Sequence, residues 1–278
     1  MISLKIPTDR FAFLEMLAYW KGLVRNKDLE QQFGITRQQV HKDFTLYQEL
    51  HPETLVKLDK ACFGFAPSSL PHYASTSLDS FFLWLETGHF SHSSGHSSLC
   101  ATRLQLPERQ VSRLVVAALI AAIERGQRLD VEYVSVSNPD HGGRIFSPHS
   151  IVKAGSRYHV RGYCEKSSGF RDLVLSRFRS VSEVEGPARF TREKDEAWNT
   201  FVNVLLAPDP RLSPIQQQVL ANDYCMEGGQ LILQTRAALV DYLLKDMQVN
   251  IKYLDGTAEA QQLVLVNKND IKQWLFDA

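Results

Sequence analysis

Four short segments between Val131 and Phe178 constrain this chain more than any other feature. They read V-E-Y-V-S-V-S, R-I-F-S-P-H-S-I-V, R-Y-H-V-R-G-Y-C and F-R-D-L-V-L-S-R-F. Alternating or continuous β-branched and aromatic residues predict four strands. Asn138–Gly143 turns the first into the second, and Lys166–Gly169 the third into the fourth. Every strand also carries Arg, His, Ser or Tyr. Charged side chains on short strands are costly unless something uses them, and several arginines on one small sheet point to a pocket for an anion, a phosphate foremost. The period of two puts Arg157, His159, Arg161 and Tyr163 on one face of the third strand, and Tyr158, Val160, Gly162 and Cys164 on the other. Arg171 and Arg177 have equal parity in the fourth.

The charge distribution agrees. The 278 residues are neutral as a whole, yet residues 101–190 hold fourteen basic side chains, twelve of them Arg, against nine acidic. Residues 1–66 are nearly balanced and residues 191–278 are acidic. The middle is where an anionic partner belongs. A 44% hydrophobic content is enough for two or three domains with ordinary cores. No run approaches the roughly 20 apolar residues of a membrane helix, and the start, M-I-S-L-K-I-P-T-D-R, lacks the apolar stretch of a secretion signal. A soluble, cytoplasmic protein is expected, with Cys62, Cys100, Cys164 and Cys225 as reduced structural thiols. His89, His92, His96 and Cys100 have spacings a metal could use, but their Ser/Gly-rich surroundings favour a solvated loop, so no metal or cofactor is expected. No G-x-S-x-G, H-E-x-x-H, P-loop or G-x-G-x-x-G is present, which argues against an enzyme.

The first 66 residues read as helix, short helix, glycine turn, third helix and hairpin. Asp9 caps a helix bearing Phe11, Phe13, Leu14 and Leu17, and Gly22 stops it. Asn26 caps the second helix; Gly34-Ile35 is the turn; Thr36 caps the third, whose Val40, Phe44, Tyr47 and Leu50 recur at helical spacing. A hairpin follows around Asp59-Lys60. This is the order of a winged helix-turn-helix. The third helix leaves Arg37, Gln38, Gln39, His41 and Lys42 outward, and Arg and Gln can pair with guanine and adenine edges in the major groove. Arg25, Thr36 and Lys42 can hold phosphates, and Lys57 and Lys60 on the hairpin can reach the neighbouring backbone. A plain helical bundle with a solvated polar face would show the same residue types. Further on, helices are expected from Ser77 and from Pro107 to Gly126. After Pro214 the order is a short helix, the strand G-Q-L-I-L-Q-T, the helix R-A-A-L-V-D-Y-L-L-K-D, the strands I-K-Y-L-D and Q-Q-L-V-L-V, and a helix from Lys268 to Phe276.

The four central segments, in their order, resemble the WYL domain of bacterial transcriptional regulators, nearest to the subgroup that represses phage-defence operons. Arg157-Tyr158-His159-Val160 stands where the name-giving Trp-Tyr-Leu would be. The resemblance spans the chain and implies an α+β multidomain protein: a winged helix-turn-helix over residues 1–100, a linker helix over 101–126, an SH3/Sm-like β-barrel over 127–190 and a small α/β dimerisation domain over 191–278. It implies that the barrel senses a nucleotide or oligonucleotide through Tyr133, Ser135, Ser137, Arg144, His149, Arg161, Arg171 and Arg177. Val240, Leu243 and Leu244 supply a dimer contact or pack on their own sheet. The expected whole is a homodimeric repressor on an inverted-repeat duplex operator. The other reading is an RNA- or single-strand-binding module with the Sm-like sheet as its main surface.

Overall fold

The computed structural model describes residues 6–74, 77–90, 107, 109–137, 139, 142–251 and 256–276. His92, His96, Cys100 and most of the turn at 138–141 lie outside the described residues. The chain divides into two compact units, Met1–Arg125 with Phe178–Val181, and Gly126–Arg177 with Ser182–Ala278.

In the first unit α1 (Thr8–Met16) runs into a π-helical turn (Leu17–Lys21), which Gly22 ends at φ 82°. Asp9, expected as the cap, sits within the first turn after Pro7. The two-residue strand β1 (Val24–Arg25) leads into α2 (Asn26–Phe33). Arg25, not Asn26, holds the cap position, because the Asp28 carboxylate accepts its N–H at 2.7 Å. Gly34, at φ 63°, breaks the helix in the left-handed region that glycine tolerates best. Then α3 (Arg37–Leu50) begins at Thr36, whose hydroxyl accepts the Gln39 N–H at 3.3 Å. The hairpin β2 (Leu55–Asp59) and β3 (Cys62–Phe65) completes a three-stranded sheet in the order β1-β3-β2.

Apolar residues at helical spacing explain the core: Phe11, Phe13, Leu14 and Leu17 are fully buried, as are Leu29, Val40 and Tyr47. One charged group shares that interior. Glu15 accepts the Tyr47 hydroxyl at 2.6 Å and the backbone N–H groups of His72, Tyr73 and Ala74 at 2.9, 2.7 and 2.7 Å. Helices α4 (Leu78–Thr87) and α5 (Arg113–Arg125) finish the unit. The last begins six residues later than Pro107, where a start was expected. Its apolar period opens only at Leu114, and the Arg113 guanidinium is tied to the carbonyls of Ala66 and Pro67 at 3.2 and 2.8 Å.

The second unit opens with β4 (Gln127–Tyr133), β5 (Gly142–Ala154), β6 (Arg157–Cys164) and β7 (Gly169–Val174); with β8 (Phe178–Pro187), whose first four residues group with the first unit, they form one sheet in the order β7-β6-β5-β4-β8. The strands are where the residue pattern put them, and no closed barrel is seen among the described residues. No ladder joins β7 to β8 among the described residues, and a 3₁₀ turn (Leu175–Arg177) separates the two. The sheet is therefore open. Its inner face is Leu129, Val131, Phe146, Val160, Cys164 and Leu173, all buried. Gly162 makes that packing possible. A Cβ there would sit 2.3 Å from the Ser147 carbonyl oxygen and 2.8 Å from the Phe146 ring. Neither backbone nor a buried ring can retreat cheaply, so Gly162→Ala is expected to cost about 3 kcal/mol or more. A urea midpoint equal to wild type would refute that packing.

A short helix α6 (Glu196–Asn199) leads to the C-terminal part. There β9 (Phe201–Pro208), α7 (Pro214–Asp223), β10 (Leu231–Arg236), α8 (Val240–Asp246), α9 (Ala258–Gln261), β11 (Leu263–Leu265) and α10 (Lys268–Ile271) follow, with the sheet in the order β10-β9-β11. Val240 and Leu244 pack with Val204, Leu206 and Leu263 in one core and Leu243 lies against it, so these residues serve their own sheet. The expected strand I-K-Y-L-D falls mainly at 252–255, outside the described residues. The expected closing helix is shorter: α10 passes into a 3₁₀ turn ending at Trp274.

Candidate nucleic-acid interface and sensor sheet

The first unit carries an open groove of 540 Å³ between α3 and the β2–β3 hairpin. Arg37, Gln38, His41, Thr45 and Gln48 line it from one stripe of α3; Lys57 and Phe63 line it from the hairpin, and Asn26 from the start of α2. Phe44 and Phe63 stack at 4.7 Å, which docks the hairpin against the helix and sets the width of the groove. Arg37, Gln38 and His41 are exposed and face the groove. Arg25, Thr36, Lys42 and Lys60 are exposed without lining it. Gln39 differs from its neighbours. Its amide donates to Asp43 at 2.9 Å, and Asp43 also receives Arg10 through two hydrogen bonds of 2.6 and 3.1 Å. Gln39 thus steadies, within α3, the carboxylate that ties α3 to α1 through Arg10. Thr45 and Gln48 were not among the residues expected from sequence, although they continue the stripe of Gln38 and His41 at spacings of four and three.

The eight expected sensor residues separate into groups. Tyr133 and Arg144 meet at one end of the sheet, and Ser135 and Ser137 follow Tyr133 along the chain. The Arg144 guanidinium lies 4.8 Å from the Tyr133 ring centroid, its Nη2 is 3.5 Å from the Tyr133 carbonyl oxygen, and the Ser135 and Ser137 hydroxyls are 3.4 Å apart. Arg177 joins them through its backbone, whose carbonyl accepts the Val134 N–H at 3.1 Å. The Tyr133 hydroxyl accepts the Val174 N–H at 3.1 Å, which holds the ring in place. The Arg144 Nε is buried with no acceptor among the described residues, a donor left open at this end.

His149 and Arg161 form the second group. Arg161 Nε and Nη2 donate to Asp195 at 2.6 and 2.9 Å, while Nη1 donates to both Asp172 oxygens at 3.2 and 3.1 Å. His149 Nε2 lies 3.0 Å from Asp195 Oδ2. All three side chains around Asp195 are nearly excluded from water. Burial lowers the Arg161 guanidinium, but the bonds and charges of Asp195 and Asp172 outweigh it and raise it above its ordinary range. Burial likewise lifts the Asp195 carboxyl, and the bonds from His149 and Arg161 overturn that and bring it to about 2. Asp172 goes the other way: burial dominates and raises it in spite of Arg161. Two carboxylates therefore already neutralise Arg161. Arg171 is apart from both groups. The register pairs it with Gly162 and pairs Asp172 with Arg161, so Arg171 projects from the opposite face, exposed, and bonds Ser167 at 3.2 Å.

A reader helix beside a hairpin wing, joined in one chain to a five-stranded sheet with a polar end, defines a winged-helix regulator of the WYL class. Family models agree in the same order. Residues 7–87 match the BrxR transcriptional regulator winged helix-turn-helix domain, residues 115–183 the WYL domain, and residues 201–271 the BrxR transcriptional regulator C-terminal dimerization domain. The chain belongs to the CapW family of DNA-binding transcriptional repressors. It is 33% identical over 273 residues to CapW of Pseudomonas aeruginosa, covering 95% of this chain and 90% of that one. CapW of Escherichia coli strain KTE188 is 31% identical over 270 residues (94% and 89%), and that of Stenotrophomonas maltophilia 28% over 274 (96% and 91%).

Proposed function

We propose that this chain is a cytoplasmic, homodimeric repressor that reads an inverted-repeat duplex operator with α3 and answers to a nucleotide or oligonucleotide through its WYL sheet. The observation that carries the reading is the groove between α3 and the hairpin, where Arg37, Gln38 and His41 stand exposed on one stripe with Lys57 opposite. Arg and Gln there can address base edges, with the Thr36 hydroxyl and Lys42 on phosphates. The near balance of charge over residues 1–66 means that one copy binds weakly, and two copies add their phosphate contacts. The dimerization named for the C-terminal family model, together with exposed Ile232 and Val266 on that domain, supports pairing there. No described helix is long and apolar enough to cross a membrane.

The effector reading rests on Tyr133, Ser135, Ser137 and Arg144, with the open Arg144 Nε as its anchor. An effector acts only by binding one arrangement of the dimer better than another. The phage-defence target follows the resemblance of the central strands. The function is binding and regulation, not catalysis.

Competition tests this reading against a single-strand-binding module. Excess operator duplex is expected to displace labelled operator at concentrations where unrelated single strands do not; the reverse order would reassign the nucleic-acid surface to the sheet. Arg144→Ala is expected to keep operator affinity within about twofold, a surface-scale effect, and to lose the response to effector.

A further inference from the structure

One cluster in the second unit is used by neither the reader groove nor the Tyr133 end of the sheet. Two guanidinium groups clasp the indole of Trp198: Arg236 Cζ lies 4.7 Å and Arg192 Cζ 5.7 Å from the ring centroid. Arg236 also lies 4.6 Å over the Phe201 ring and donates through Nη1 to the Trp198 carbonyl. Neither arginine has a salt-bridge partner among the described residues, in contrast to Arg161. The acid that feels Arg192 is its exposed neighbour Glu193. Burial, and after it the charge of Arg192, hold the Arg236 guanidinium below its usual range. The Arg192 charge is thus felt at Arg236, and an anion that reaches both guanidinium groups relieves that repulsion.

Two further observations indicate what the anion carries. Trp198 is 7% exposed, and its indole N–H is buried with no acceptor among the described residues. Phe201 is 54% exposed and offers a flat aromatic face beside Arg236. We propose that Arg192 and Arg236, set about Trp198, bind the phosphate of a phosphorylated nucleobase that lies against Phe201. A free mononucleotide and the end of a short single strand share that chemistry. The cluster connects to the sheet by a short path. Asp195 accepts the Trp198 backbone N–H at 3.2 Å while holding Arg161 and His149, and the His149 ring meets the Trp198 ring edge-on at 5.4 Å. Occupation at Trp198 therefore bears on the group that fixes Arg161. The site is separate from the Tyr133 end and stands or falls independently of it.

The test uses the full-length chain, titrated by calorimetry and tryptophan fluorescence with inorganic phosphate, adenosine monophosphate and a 5′-phosphorylated hexathymidylate. Wild type is expected to bind at least one of the two nucleobase probes more tightly than phosphate. Arg192→Glu, at an exposed position where folding is not at stake, should weaken that binding roughly tenfold or more, and should do so equally in an Arg144→Ala background, where the Tyr133 end no longer contributes. Tighter binding of the mononucleotide identifies a free nucleotide; tighter binding of the hexamer identifies a strand end. Binding to none of the probes, phosphate binding as tightly as both others, or full retention in Arg192→Glu would overturn the proposal. An Arg192→Glu effect that disappears in the Arg144→Ala background would place the anion at the Tyr133 end and overturn it too.

Discussion

Arg161→Ala is expected to lower the stability of the second unit by about 3–5 kcal/mol, the range for removing one partner of a buried ion pair. The reason is what remains. Asp172 and Asp195 would be left in a nearly dry interior, having lost four hydrogen bonds between them. Desolvating a carboxylate without a partner costs far more than the net value of the pair. The pH profile carries the same signature. The Asp195 carboxyl stands at about 2, below its ordinary 3.8. Its contribution is complete above the unfolded value and is lost as pH falls through about 2. Wild type should therefore lose stability between about pH 4 and pH 2 through this group, and Asp195→Asn should show less of that slope. Chemical denaturation across this range measures both. An Arg161→Ala midpoint equal to wild type would mean that the triad is solvated. Arg161, expected from sequence to receive an anion, is met in this structure by two carboxylates, Asp172 on β7 and Asp195 at the cap of α6.

Glu15→Ala is the second large effect, with an expected loss of about 3–5 kcal/mol in the first unit. Glu15 is fully buried and accepts four hydrogen bonds, one from Tyr47 on α3 and three from successive backbone N–H groups at His72, Tyr73 and Ala74. Alanine would orphan all four donors at once. Burial and the Glu15 bond already push the Tyr47 phenol far above its ordinary range, so its proton stays in place. Glu15→Gln keeps an acceptor oxygen and should recover part of the loss. The reader helix is anchored at this point, so Glu15→Ala should also abolish operator binding at temperatures where the rest of the chain is folded. A thermal melt of the variant that overlays wild type would contradict the assignment.

Much of this architecture was legible from residue order because local rules and tertiary packing agree. Gly22, Thr36 and Gly34 mark helix boundaries through cap and turn chemistry, which acts over a few residues. The 3.6-residue period of α3 set its polar stripe of Arg37, Gln38 and His41 apart, but not Thr45 and Gln48, which line the same groove. Tertiary partners were not legible. Nothing in the run around Arg161 announces Asp195, thirty-four positions away. Nor does the sequence separate Arg171 from Arg161: the register pairs Arg171 with Gly162 and turns it to the other face. A closed barrel could not be told from an open sheet, since both share one strand order and differ only in whether the two edges meet. Glu15 reads as an ordinary surface acid on an amphipathic helix until the segment at 72–74 folds over it.

The measurement closest to the central claim is the affinity of the full-length chain for the duplex it selects from a randomised pool, compared between wild type and Gln38→Ala. A selected inverted repeat is expected, with a Gln38→Ala chain that melts like wild type yet binds it more weakly by about 1–3 kcal/mol and discriminates less at one base pair per half-site. Equal affinity in the two chains, or selection of no duplex preference at all, would contradict it.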